Sequence, residues 1–166
     1  GLFAADADAL RRVKGMGDGS LAALRIASAS AVRLAQARVA EKPVLANWQA
    51  LLDYLRSAMA AAPVEQVRVL HLNARNMLVR DELMAEGSID QAPVYVREIA
   101  RRALDLGSAA VILVHNHPSG DPTPSRADIE ITRQVVGALK PLGIAVHDHI
   151  VMGANDHASL KSLGLM

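Results

Sequence analysis

The stretch Val111-Ile-Leu-Val-His115-Asn-His117-Pro-Ser-Gly-Asp-Pro-Thr-Pro-Ser125-Arg-Ala-Asp128 decides the fold. Its first four residues, Val111 to Val114, are wholly apolar and bounded by polar chain, which reads as a strand buried on both faces. His115 and His117 follow, separated by one residue. Side chains alternate on an extended backbone, so both imidazoles leave the strand's C-terminal end on the same side. A loop with Pro118, Gly120, Pro122 and Pro124 continues neither strand nor helix. Ser125 and Asp128 then stand three apart, the spacing that opens a helix. Two imidazoles and one carboxylate on the ends of two rigid elements form a three-ligand set with an open fourth position, which is what a catalytic zinc ion requires. Each residue alone has a plainer explanation: a hydrogen-bonded strand-end histidine, a helix cap, an acid favouring the helix N-terminus. Packing gives no reason for all of them to occur together.

The pattern His115-x-His117, seven residues, Ser125-x-x-Asp128 resembles the JAMM signature of the MPN-domain metallopeptidases. With the late Asp148-His149-Ile150, the chain is most similar to the bacterial RadC family along nearly its whole length. That resemblance implies an α/β fold, the α/β/α arrangement of MPN domains with a mixed sheet. It also implies an upstream glutamate beside a water on the metal, acting as general base. Matching the segment Asp81-Glu-Leu-Met-Ala-Glu-Gly87 to the family pattern puts Glu82 in that role, with Asp81 and Glu86 as the neighbouring alternatives.

Composition narrows the function classes. The 166 residues carry 51% hydrophobic and 21% charged side chains, which supports one ordinary core with a small appendage and argues against wholesale disorder. Aromatics are 2%, too few for a base-stacking platform. A net charge of +1 gives no general attraction to nucleic acid or membrane. With no cysteine, disulfides and thiolate metal sites are excluded. No signal peptide or long apolar span is visible, so the expected setting is the cytoplasm without membrane partners.

In chain order, a short helix is expected over Asp6–Val13. A Gly15-Met16-Gly17 break follows, then a longer helix over Asp18–Arg38. This outline resembles a helix-hairpin-helix, whose turn can meet a DNA phosphate. Asp18 puts a negative charge at that anion position, and Ser20 stands where the family often has lysine, so DNA contact through this segment is expected to be weak at most. Glu41-Lys42-Pro43 is the expected boundary, giving a helical segment 1–42 and a metal-binding domain 43–166.

Asn47 caps an expected helix from Trp48 to Ala61. From Val64 the pattern alternates, and Asn73–Asn76 reads as a hairpin turn into a second strand, Met77–Met84. A helix over Val94–Leu106 precedes the histidine strand, a helix from Ser125 to Lys140 follows it, and Ile144–Val151 is a final strand. This strand carries a second His-x-His, His147 and His149, with no downstream Ser-x-x-Asp. His149 is read as an outer partner that orients a metal-bound imidazole. The residues after Gly153 are read as a turn and a short terminal helix or turn.

These expectations converge on a zinc-dependent hydrolase in which His115, His117 and Asp128 hold Zn²⁺ with water as fourth ligand. Glu82 takes the water's proton, and Ser125 donates a hydrogen bond to the oxyanion. The substrate class is an amide, in a peptide or an isopeptide, of unknown identity. The rival reading is a DNA-associated accessory protein, linked to repair or recombination, whose metal site is structural or vestigial. A zinc deaminase is disfavoured because its Cys ligands and H-x-E pattern are absent.

Overall fold

The computed structural model describes residue 5 and residues 7–59, 62–87 and 92–166. Among the described residues, five α-helices and five strands follow one another: α1 (Ala7–Arg11), α2 (Asp18–Ala40), α3 (Trp48–Met59), β1 (Gln66–Leu72), β2 (Leu78–Glu86), α4 (Ala92–Asp105), β3 (Ala110–Asn116), α5 (Arg126–Leu139), β4 (Ala145–Met152) and β5 (His157–Ser159). The first helix was expected from Asp6, which lies outside the described residues, as do residues 60 and 61 at the expected end of α3. The strands form one sheet in the order β2-β1-β3-β4-β5. All neighbouring pairs are antiparallel except β3 with β4, so the sheet is mixed, as expected.

β3 lies in the middle and every residue in it is buried, which is why its sequence is a continuous apolar run and not an alternation. Its two faces feed two cores. Ile112 and Val114 pack with Leu51, Leu55, Leu70 and Ile150 beneath α2 and α3, whereas Val111 and Leu113 pack with Ile99, Ala103, Val135 and Leu139 beneath α4 and α5. Helices therefore cover both faces, the α/β/α arrangement. The helical N-terminal segment is not detached: Val39 near the end of α2 is fully buried in the first core, and Val32 and Ala35 pack against it.

The β1–β2 hairpin closes where the sequence predicts. Asn73 accepts from the backbone N–H groups of Arg75 (2.9 Å) and Met77 (3.1 Å) through Oδ1, and Asn76 takes the left-handed conformation (φ 58°) that asparagine tolerates. One element departs from expectation. His157–Ser159, read as a turn, is a fifth strand pairing with Ile150–Met152 at the sheet edge. Its three residues are too few to leave a periodic signal.

Candidate metal centre

The second face of β3 carries Val111, Leu113 and His115 at successive alternate positions, so period two aims the His115 ring toward α5. His117, just past the strand, is held by its backbone N–H donating to Met152 O at 2.9 Å. The two Nε2 atoms stand 2.9 Å apart. At the start of α5, Ser125 and Asp128 form a reciprocal capping box. Ser125 Oγ accepts from Asp128 N at 3.2 Å, and Ser125 N donates to Asp128 Oδ2 at 2.6 Å. The box aims the Asp128 carboxylate inward, with Oδ1 3.3 Å from His115 Nε2 and Oδ2 3.6 Å from His117 Nε2. His115 and Asp128 are buried, and His117 is half-buried. Beneath the rings lies an apolar pocket walled by Val67, Leu113, Ile131 and Val135.

An acid that the sequence reading did not select completes the cluster. Glu65 immediately precedes β1, and one of its carboxylate oxygens lies within 4.8 Å of ring nitrogens of both His115 and His117. Two contacts bring it there. The β1–β3 register sets Val67 opposite His115. Asn116, between the two histidines, accepts from Gln66 N at 2.8 Å and donates to Val64 O at 3.2 Å, clamping the backbone on either side of Glu65.

Glu82, expected beside the metal-bound water, is placed elsewhere. Arg102 on α4 holds both oxygens of Glu82 from its Nε at 2.9 Å, and His71 Nε2 stands 3.6 Å from Glu82 Oε2. Glu82 sits opposite Val69, two positions along β1 from the residue that faces His115 and one strand further out. The bond from Arg102, outweighing burial, keeps its carboxyl below the usual glutamate range. Its neighbours are also engaged elsewhere. Asp81 accepts from Arg68 at 2.8 Å and from the Tyr54 hydroxyl, and Glu86 accepts from Gln66 Nε2 at 3.2 Å. The other candidates fall as follows. Ser125 is exposed, and its cap uses an oxygen lone pair, leaving the O–H free to donate. His147 donates to Asn76 Oδ1 at 2.7 Å, outside the cluster. His149 stands behind His115, Nε2 to Nδ1 at 2.8 Å. At the N-terminus, Asp18 occupies the first turn of α2 with Arg11 3.6 Å away.

The donor chemistry tests whether a metal fits. His117 Nδ1 faces the Asp121 carbonyl at 2.8 Å and so carries the ring hydrogen, leaving a lone pair on Nε2. His115 Nε2 and the two Asp128 oxygens adjoin it, and the Glu65 carboxylate lies within 4.8 Å of ring nitrogens of both histidines. A single shared proton can satisfy one pair of such acceptors, whereas a divalent cation satisfies them together. Burial alone would raise the Asp128 carboxyl, but the adjoining His115 and the hydrogen bond donated by Ser125 N hold it well below the usual aspartate range, as an acid that ligates a metal must be. Burial, with the adjoining His115, pushes the His149 imidazole down to about 3, so it is a neutral ring. The residues fit a divalent ion.

Comparison with known proteins gives concordant results. A family model described as RadC-like JAB domain matches residues 45–165. A UPF0758 protein of Rhodobacter capsulatus is 50% identical over 165 residues, covering 99% of this chain and 77% of the relative. A UPF0758 protein of Ruegeria pomeroyi is 45% identical over 165 residues, covering 99% and 74%. Among the described residues, no helix is long and apolar enough to cross a membrane.

Proposed function

Because the chain belongs to the RadC-like JAB domain family, we propose that it is a zinc-dependent hydrolase cleaving a peptide or isopeptide bond at the cluster of His115, His117, Asp128 and Glu65. The observation that carries this reading is two imidazole Nε2 atoms 2.9 Å apart with one buried carboxylate facing both, at 3.3 Å and 3.6 Å, and a further acid within 4.8 Å of both rings. His115, His117 and Asp128 are the ligands, and a nitrogen-nitrogen-oxygen set suits zinc. Zinc bound there supplies Lewis acidity, polarising a substrate carbonyl and lowering the pKa of water toward ~7.

The remaining work belongs to the chain. Glu65 takes a proton from the attacking water on its carboxylate and returns it to the amine nitrogen as the C–N bond breaks. The exposed Ser125 O–H donates to the substrate oxygen on which negative charge grows. The apolar wall beneath His115 excludes bulk water from the inner side of the centre, which strengthens these charge interactions.

The test combines elemental analysis with cleavage of an unbiased peptide and isopeptide library by zinc-loaded protein. The wild type should hold about one zinc per chain and cut, and His117→Ala should lose the metal. Glu65→Gln should keep zinc and cut about 10²–10⁴-fold more slowly. Full-speed cleavage by Glu65→Gln, or a zinc-loaded wild type that cuts no amide bond, would overturn the proposal.

A further inference from the structure

The second His-x-His contributes one ring to the centre, and behind that ring lies a hydroxyl. Thr132 on α5, fully buried, has Oγ1 against the backbone carbonyl of Asp128 at 2.5 Å and 2.6 Å from His149 Nδ1. A carbonyl oxygen only accepts, so the single Thr132 hydrogen goes to Asp128 O. The Thr132 oxygen then presents a lone pair to His149 Nδ1, which must bear that ring's hydrogen. Neutral imidazole has one hydrogen, so His149 Nε2 is an acceptor. It faces His115 Nδ1 at 2.8 Å, and Nδ1 therefore donates. The hydrogen of neutral His115 is thereby fixed on Nδ1, and Nε2 is left with a lone pair pointing at His117 and Asp128.

We propose that Thr132 is a positioning residue which, through His149, sets the tautomer of His115 that binds the metal. This rests on the metal-centre reading given above. The relay starts at the carbonyl of Asp128, so one helix both supplies a ligand and dictates the hydrogen position on another ligand, carried by a strand. Without the hydroxyl, His149 Nδ1–H would be a buried donor with no acceptor, which is costlier than an unmet acceptor. The ring would then favour its hydrogen on Nε2 and donate to His115 Nδ1. That would leave the His115 hydrogen on Nε2, where a metal would have to displace it.

Two measurements test the relay. The first is zinc(II) affinity, by competition with a chromophoric chelator, of wild type, Thr132→Val and Thr132→Ser. Valine, of the same shape without the hydroxyl, should bind zinc about 10–100-fold more weakly, the scale of lost outer partners of metal ligands. Serine should return the affinity close to the wild-type value. The second is ¹⁵N-edited NMR of the imidazoles in zinc-free wild type at about pH 8.5, well above the ordinary imidazole pKa of ~6.5. His115 and His149 should both carry hydrogen on Nδ1. This measurement decides the matter even if Thr132→Val does not fold. Wild-type zinc affinity in folded Thr132→Val, or hydrogen on His149 Nε2 in the wild type, overturns the relay alone. A wild type that takes up no zinc overturns the metal-centre reading instead.

Discussion

Glu82 and Glu65 are separated by their partners. Arg102 grips Glu82, and its pair of 2.9 Å bonds ties β2 to α4. That bond lowers the Glu82 carboxyl below its ordinary value. A depressed acid adds stability above its unfolded-state pKa, and the contribution is lost as pH falls through the folded value. Glu82→Gln should therefore lower the thermal midpoint near pH 7, and the gap from wild type should close as pH falls below about 4.3, the ordinary glutamate value. Zinc content should not change. Thermal melts across that range with parallel elemental analysis check both points, and a Glu82→Gln protein of wild-type stability that loses zinc would return Glu82 to the metal centre.

The loop from His117 to Pro124 is held in shape by the end of β4. Gly120 N donates to His117 O at 2.9 Å, and Ala154 N donates to Gly120 O at 3.0 Å. Gly120 itself has φ +87°, a conformation that side chains resist. Opposite it, Gly153 has no room for a side chain: a Cβ there would fall 2.5 Å from Gly120 O and 2.8 Å from Pro122 Cδ. Both obstacles belong to the loop that carries His117, so Gly153→Ala must displace it. The expected result is zinc affinity reduced by about tenfold or more, as when a ligand loses its support, with the far-UV circular dichroism of the sheet and helices retained. Unchanged affinity in Gly153→Ala would show that the loop yields without moving His117.

At the scale of the whole molecule, the sheet separates two cores with different duties. The α4–α5 side holds the candidate metal centre, whereas the α2–α3 side contains mainly aliphatic packing and is completed by Val39 from the N-terminal segment. That segment also connects to the domain through Asn47 Nδ2, which donates to Arg38 O at 3.0 Å. Val39→Ala removes two buried methyl groups at ~0.8 kcal/mol each and leaves a small cavity, so it should cost about 2 kcal/mol. Urea unfolding should show this as a lower midpoint at unchanged slope, with zinc affinity intact because the sheet lies between the two cores. A negligible loss would mean that α2 is docked only weakly.

Local chain pattern is enough to specify the strand, loop and helix that carry His115, His117, Ser125 and Asp128. Their relation is covalently short, and the two-residue period of a strand and the three-residue spacing of a capping box convert directly into direction. Alternation from Val64 and the Asn47 cap likewise announced β1 and α3. The acid beside the rings was not. The family resemblance selected Glu82, with Asp81 and Glu86 beside it, and only the register of β1 on β3 and the Asn116 clamp, acting across 50 residues, bring Glu65 to the rings. The Thr132–His149–His115 relay likewise joins α5, β4 and β3, and no spacing in the chain announces it. Tertiary packing decided both, because register and side-chain hydrogen bonds between distant elements are fixed by how the whole core fits together.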